Sequence, residues 1–350
     1  MLPDPPATSF ASDNAAGVLP EILDAIQRSN AGSALAYGSD AVTRDAKQRI
    51  CELFGAEVES YFTFNGTGAN VLALAALLEV GDAVLCVDTA HIHTDEASAP
   101  ERVLSTKLVT VPGKDGKLSP DAVQNCVSDH LEMHHPRIGV VSISQVTEMG
   151  TLYTVEEIRQ LSDAAHSCGL KLHLDGARIA NAVAALGCDV STLRAMTIDA
   201  GVDAISFGTT KNGGMFGEAV VLFSPTSKKS IDHLRKQLTQ LPSKMRFVSA
   251  QFAAHLQDDL WLKSARHANE MAQMLYSELK NVDTLKLAPP AANSLFPTLS
   301  PDVAKKLTEW SFFWEWRRDA NQYRWMTSWQ TSKDDVHRFA DGVRTVLQSR

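Results

Sequence analysis

Between about residues 60 and 225, short apolar runs alternate with amphipathic stretches, and this rhythm limits the fold more than any other feature. Strand-like runs fall at 60–64, 82–87, 109–111, 138–144, 171–175, 204–207 and 219–223. Segments of helical period lie in three of the six gaps between them, at 71–80, 155–167 and 178–186. Ile138-Gly-Val-Val-Ser-Ile-Ser144 is almost continuously apolar. That pattern suits a parallel strand covered on both faces. Strands alternating with helices imply parallel pairing through right-handed crossovers. The expected class is therefore α/β, with a mainly parallel central sheet flanked by helices.

Further helices are expected at 20–28 and 43–54, with a Gly/Ser/Ala-rich loop at 31–40. The rhythm fades after 225. Helical segments run from 231 to 280, and a Trp-rich mixed tail follows. The expected division is an N-terminal arm plus a large α/β domain over 1–254, and a small α+β domain over 255–350. The Pro-rich start, through Thr8, reads as a loose arm.

Composition removes several classes. The chain carries 33 Lys plus Arg against 41 Asp plus Glu, a net charge of −8, which argues against a polyanion partner such as nucleic acid. Its 44% apolar content is enough to build a core. The longest clean apolar run, 71–78, is too short to span a bilayer. Met1-Leu-Pro-Asp-Pro-Pro has no basic region and no apolar stretch, so it does not read as a secretory signal. The five Cys are odd in number, widely spaced and without a CxxC pair. They read as reduced thiols of a cytoplasmic protein, with no structural zinc.

In open α/β sheets, ligands bind beyond the carboxyl ends of the strands. Four groups fall there. Asn65-Gly66-Thr67-Gly68 follows a strand and opens a helix, which makes it either a tight turn or a phosphate cradle. It is neither GxGxxG nor a Walker loop. Asp175 ends a buried strand and needs a cation or donor. Arg178, three residues on, is one partner; a ligand's ring nitrogen is the other. Lys211 lies among small residues in Gly208-Thr-Thr-Lys-Asn-Gly213, a setting that can lower a lysine pKa enough for a Schiff base. His91 follows the strand 82–87. With His93, Asp95 and Glu96 it is also a conceivable metal cluster, although no metal is expected.

Cradle, strand-end Asp and Lys, in that order, are the parts of a pyridoxal-phosphate (PLP) site. The chain resembles the threonine aldolase/β-eliminating lyase family of fold-type I PLP enzymes, with the look of the bacterial low-specificity L-threonine aldolases. The likeness runs through Phe10-Ala-Ser-Asp-Asn14, Ala36-Tyr-Gly38, Phe64-Asn-Gly-Thr-Gly-Ala-Asn70, His91, Asp175-Gly-Ala-Arg178, Gly208-Thr-Thr-Lys-Asn-Gly213, Ser243-Lys-Met-Arg-Phe247 and Arg324-Trp-Met-Thr-Ser328.

The resemblance implies a role for each match. Lys211 carries PLP. Asp175 meets the ring nitrogen, His91 the ring face, and Gly66 and Thr67 the phosphate. Ser12, Arg178 and Arg324 grip the substrate carboxylate. Tyr37 and Arg246 approach a neighbouring subunit's site, which implies a homodimer or homotetramer. One departure stands out: Glu148 falls about where many members carry a His near the substrate's β-carbon. It is therefore a second candidate base beside His91. The implied reaction is reversible retro-aldol cleavage of a small L-β-hydroxy-α-amino acid (threonine, allo-threonine or phenylserine) to glycine and an aldehyde. The alternative is another PLP reaction: β-elimination, transamination or one-carbon transfer from serine.

Overall fold

A computed structural model describes residues 2–223 and 230–348. Seven strands form the large sheet: β1 (Glu59–Thr63), β2 (Ala83–Val87), β3 (Leu108–Val111), β4 (Ile138–Ser144), β5 (Lys171–Gly176), β6 (Ala204–Gly208) and β7 (Glu218–Leu222). Their order is β1-β7-β6-β5-β4-β2-β3. Every residue of β2, β6 and β7 is buried, as the apolar runs require of a sheet covered on both faces.

The sheet is mainly parallel, as expected, with one strand the exception. β7 runs antiparallel to both β6 and β1, while the other pairs are parallel. The reason is length. Only residues 209–217 separate β6 from β7, and a parallel crossover needs roughly a dozen residues or more. The chain turns straight back, and Lys211 stands in the turn.

The central helix Gly66–Leu77 is apolar on all sides and buried from Gly68 to Ala76. It packs Ala69, Leu72 and Ala76 against Ala204, Val220 and Leu222. It starts five residues before the expected position. The cause is Asn65, whose side chain caps it by accepting from the Gly68 N–H at 2.7 Å. The Gly-rich turn is thus the helix's own first turn. Segment 31–40 carries no helix or strand, and Tyr37 there has φ 59°.

A second, antiparallel sheet has the order β8-β10-β9, with β8 at Ser294–Leu295, β9 at Trp314–Arg317 and β10 at Gln322–Met326. The helices Leu260–Leu279, Pro301–Trp310 and Lys333–Gln348 close a second core around Trp325, Phe313 and Phe339. The helix Leu260–Leu279 serves both cores: Trp261 and Ala265 enter the first, Met271 and Leu275 the second.

The N-terminal arm is not loose. The Ala7 and Thr8 N–H groups donate to Asp335 Oδ1 at 2.7 and 3.1 Å. Phe10 stacks on Phe339 with centroids 4.2 Å apart, and Trp310 Nε1 donates to the Pro3 carbonyl. Pinning the arm places Ser12 and Asp13 beside the large sheet.

Candidate active site

A cavity of about 600 Å³ opens beyond the carboxyl ends of β2, β4, β5 and β6 and is roofed by the small sheet. Ser12, His91, Glu148, Asp175, Arg178, Lys211 and Arg324 all line it. The chain brings these sequence-predicted residues together from positions more than 300 residues apart.

Asp175 closes β5 in register with Ser144 and Ser206. Its Oδ1 accepts from the Ala177 N–H at 3.0 Å, and its Oδ2 from Asn70 Nδ2 at 2.8 Å. Burial pushes its carboxyl pKa up, but the His91 and Lys211 charges and these two bonds outweigh that, so the net shift is down. Asp175 is therefore an ionised acid facing the cavity. Its predicted partner is otherwise engaged. Arg178 donates through Nε and Nη2 to Asp13 Oδ2 and Oδ1, at 2.6 and 2.9 Å. The local Asp175–Arg178 pair does not form.

Lys211 sits in the 3-10 turn Thr210–Asn212 directly after β6. It is half-buried. Desolvation and the neighbouring Arg178 charge push its ammonium pKa down, against the pull of Asp13, Asp175 and Glu218. A lysine whose charge is destabilised in this way is suited to imine chemistry.

His91 opens the short helix His91–Thr94 after β2. Its Nδ1 lies 2.8 Å from Glu96 Oε1, and its backbone N–H donates to Glu148 Oε1 at 2.9 Å. Burial lowers the imidazole pKa, but the Glu96 bond and the Asp175 charge win, and the net shift is up. Glu148 also accepts from Ser144 Oγ at 2.7 Å, so its Oε1 is held by loop neighbours. Its Oε2 is buried with no partner among the described residues. Burial raises the Glu148 pKa despite these bonds.

The cluster that the sequence made conceivable as a metal site, though no metal was expected, assembles only in part. His91, Glu96 and Asp175 offer ligand atoms within 4.8 Å of one another; His93 and Asp95 are not in the group. Asn70 Nδ2 donates to both carboxylates, so a hydrogen-bond donor already joins them.

Two groups are placed for anions. Among the described residues, the backbone N–H groups of Gly66 and Thr67 have no acceptor, and a Cβ built on Gly66 would meet nothing within 4 Å. Free N–H groups at a helix N-terminus favour a phosphate. Arg324 is buried and lies over the Trp316 ring at 4.1 Å. Burial and the Arg178 charge push its pKa down to about 10, and its Nε has no partner among the described residues.

Tyr37 and Arg246 do not reach the cavity. The segments that hold them pair with each other instead: the Tyr37 N–H donates to the Ser243 carbonyl, and Arg246 Nη1 to the Gly32 carbonyl. The sequence reading missed Asp13 and Asn70 as site residues and took Glu96 only as a metal ligand. Asn70 ends the quoted Gly-rich motif, and its position one turn past the cradle is the signal that could have found it.

A cavity lysine and an ionised strand-end acid beside a phosphate-ready helix end define the class of fold-type I PLP enzymes, and the residues present fit that cofactor. The overall fold agrees with a Thermus thermophilus aspartate aminotransferase (TM-score 0.70, 16% identity, covering 99% of this chain and 95% of that one). A Leishmania major threonine aldolase superposes with a TM-score of 0.90 at 32% identity, covering 97% of this chain and 99% of that one. Two relatives are low-specificity L-threonine aldolases. One, from a Pseudomonas species, is 38% identical over 97% of this chain and 98% of its own length; the other, from Pseudomonas aeruginosa, is 39% identical over 97% of each. Residues 9–300 match the β-eliminating lyase family. The chain belongs to the β-eliminating lyase family and is a PLP-dependent lyase.

Proposed function

We propose that this protein is an aldolase that cleaves L-threonine, L-allo-threonine and related L-β-hydroxy-α-amino acids to glycine and an aldehyde. One observation carries the reading: Lys211, Asp175 and His91 converge on a cavity that also holds Arg178 and Arg324, whose Nε has no partner among the described residues. The names of the relatives agree with it.

Lys211 would hold PLP covalently, Asp175 would face its ring nitrogen, His91 its ring face, and Gly66 and Thr67 its phosphate. Bound there, PLP supplies an electron sink for the charge left on Cα when the Cα–Cβ bond breaks. The chain's own residues do the rest. Arg178, Arg324 and Ser12 bind the substrate carboxylate, and the planar fork of arginine fixes its orientation. That orientation aligns the Cα–Cβ bond for cleavage, an effect that accounts for a large share of such rates. His91 takes the β-hydroxyl proton on Nε2, because Nδ1 is engaged with Glu96. Glu148 is the second candidate base; its Oε1 accepts from the His91 N–H and Ser144 Oγ, and burial raises its pKa. In the synthetic direction the same groups work in reverse. Phe296, Trp314 and Trp316 line the cavity's outer wall and leave room for side chains larger than a methyl group.

The active enzyme is a homodimer or homotetramer with shared active sites. Tyr37 and Leu35 are in keeping with this: they stand close together on one loop, 50% and 72% exposed, where a partner chain would cover them. It acts in the cytoplasm, in keeping with its five free cysteines. Among the described residues, no helix is long and apolar enough to cross a membrane.

The test is glycine release from L-threonine, L-allo-threonine, their D forms and phenylserine, with and without PLP. The expected result is PLP-dependent glycine and aldehyde from the L forms alone. A 2-oxo acid that keeps the substrate's carbon skeleton (2-oxobutanoate from threonine, phenylpyruvate from phenylserine) with ammonia, and no glycine, would point to β-elimination and overturn the reading.

A further inference from the structure

The helix Gly66–Leu77 contributes to the site twice, one turn apart. Its first turn holds the free N–H groups of Gly66 and Thr67. Asn70 then donates through one nitrogen to two carboxylates, Asp175 Oδ2 and Glu96 Oε1, each at 2.8 Å. The same Glu96 oxygen lies 2.8 Å from His91 Nδ1. Asn70, Glu96 and Asp175 are all buried, and Glu96's side chain is fully so.

Two buried carboxylates this close repel unless a donor lies between them. Asn70 supplies it, and both amide hydrogens are used. The flipped amide would set its oxygen against two carboxylates, so only one orientation fits the chemistry. Glu96 Oε2 has no partner among the described residues, so the side chain's contacts are Asn70 and His91. His91 itself is faced by Glu96 from its own loop, Asp175 from β5 and Lys211 after β6, with Glu148 on its backbone N–H.

We infer that Asn70 and Glu96 are positioning residues that bind His91 and Asp175 into one unit. Glu96 keeps a proton on His91 Nδ1 and leaves Nε2 as the basic nitrogen. Asn70 fixes Asp175 Oδ2 and separates it from Glu96. The statement about His91 rests on the aldolase reading above; the statement about Asp175 stands for any reaction at this cofactor site.

The experiment uses holoenzyme of Glu96→Gln, a near-isosteric change, and of Asn70→Ala. Glu96→Gln removes the charge that favours imidazolium, so the acid limb of kcat/KM should move to lower pH. Its kcat should fall by about tenfold, less than the roughly hundredfold or greater loss expected when a general base is itself removed, with KM within about twofold. Asn70→Ala should weaken PLP half-saturation about tenfold, one tenfold step being about 1.4 kcal/mol. It should also shift the pH dependence of the bound cofactor's visible band. A Glu96→Gln enzyme whose acid limb stays in place overturns the His91 part, whether or not kcat falls, because a merely structural group lowers rate without moving the limb. Unchanged half-saturation and an unchanged band in Asn70→Ala overturn the Asp175 part. If the wild type cleaves no β-hydroxy amino acid, the aldolase reading fails by itself, and the cofactor titrations still decide the Asn70 part.

Discussion

Replacing Asp13 with alanine would strip Arg178 of its partner in a site where neither charge is well hydrated. The Asp13 side chain is fully buried and that of Arg178 is 15% exposed. The pair is bidentate, at 2.6 and 2.9 Å, and Asn293 Nδ2 adds a third donor to Asp13 at 3.3 Å. Removing one member of such a pair leaves an uncompensated buried charge and costs about 3–5 kcal/mol. At roughly 2 °C per kcal/mol for a chain of this size, the melting temperature should drop by about 6–10 °C. Function should suffer as well. Without its brace, Arg178 no longer presents a fixed fork to the substrate carboxylate, and KM should rise about tenfold, or about 1.4 kcal/mol. Burial raises the Asp13 pKa, but Arg178, Lys211 and Arg324 more than reverse this, so the folded-state value lies below the ordinary carboxylate value. A depressed acid stabilises the fold above its unfolded pKa, and that stability is lost as pH falls through the folded one. The gap between wild type and Asp13→Ala should therefore be widest near neutrality and narrow in acid. Differential scanning fluorimetry across pH, with KM from glycine release, measures both effects. A variant that melts within 2 °C of wild type and keeps its KM would refute the claim that Asp13 braces Arg178.

Three further outcomes follow from the geometry. Asp175→Ala should lose far more rate than PLP occupancy, because the ring nitrogen loses its acid while the other contacts remain; equal activity would remove Asp175 from that role. Gly342→Ala should destabilise the protein by about 1–3 kcal/mol, the usual range for overpacking. A Cβ there would overlap the half-buried Trp310 ring, and a melting temperature equal to wild type would contradict that packing. Burial pushes the Glu218 pKa up to about 7, partly against its Thr210 bonds and the Lys211 charge. A raised acid stabilises the fold at low pH, and the benefit is lost as pH rises through 7. Glu218→Gln should thus gain stability at pH 8 and little at pH 5.5, as read by thermal melts of the cofactor-free protein.

Most strands were legible because their apolar runs report burial on both faces, as in Ile138–Ser144, whereas the short, partly exposed Leu108–Val111 gave a weaker pattern. Lys211, Asp175 and His91 were legible because a strand end marks where ligands bind. Less was visible where the cause was distant. Arg178's true partner lies 165 residues away in the arm, so a local reading paired it with Asp175 instead. The antiparallel β7 follows from the shortness of segment 209–217, which the apolar rhythm alone does not weigh. The arm was read as loose from its prolines; its anchor, Asp335, lies more than 320 residues away. Asn70 offered only its place one turn past the cradle, and Glu96 only its nearness to His91, because a buried amide between two acids acquires its role once the acids are placed.

The central claim is that this cavity is built around Lys211 and a bound PLP. The most direct measurement is borohydride reduction of the yellow holoenzyme, followed by proteolysis and mass spectrometry of the modified peptide. The visible band should bleach, and one phosphopyridoxyl group should appear on Lys211. A label on a different lysine, or a protein that stays colourless and takes up no added PLP, would contradict it.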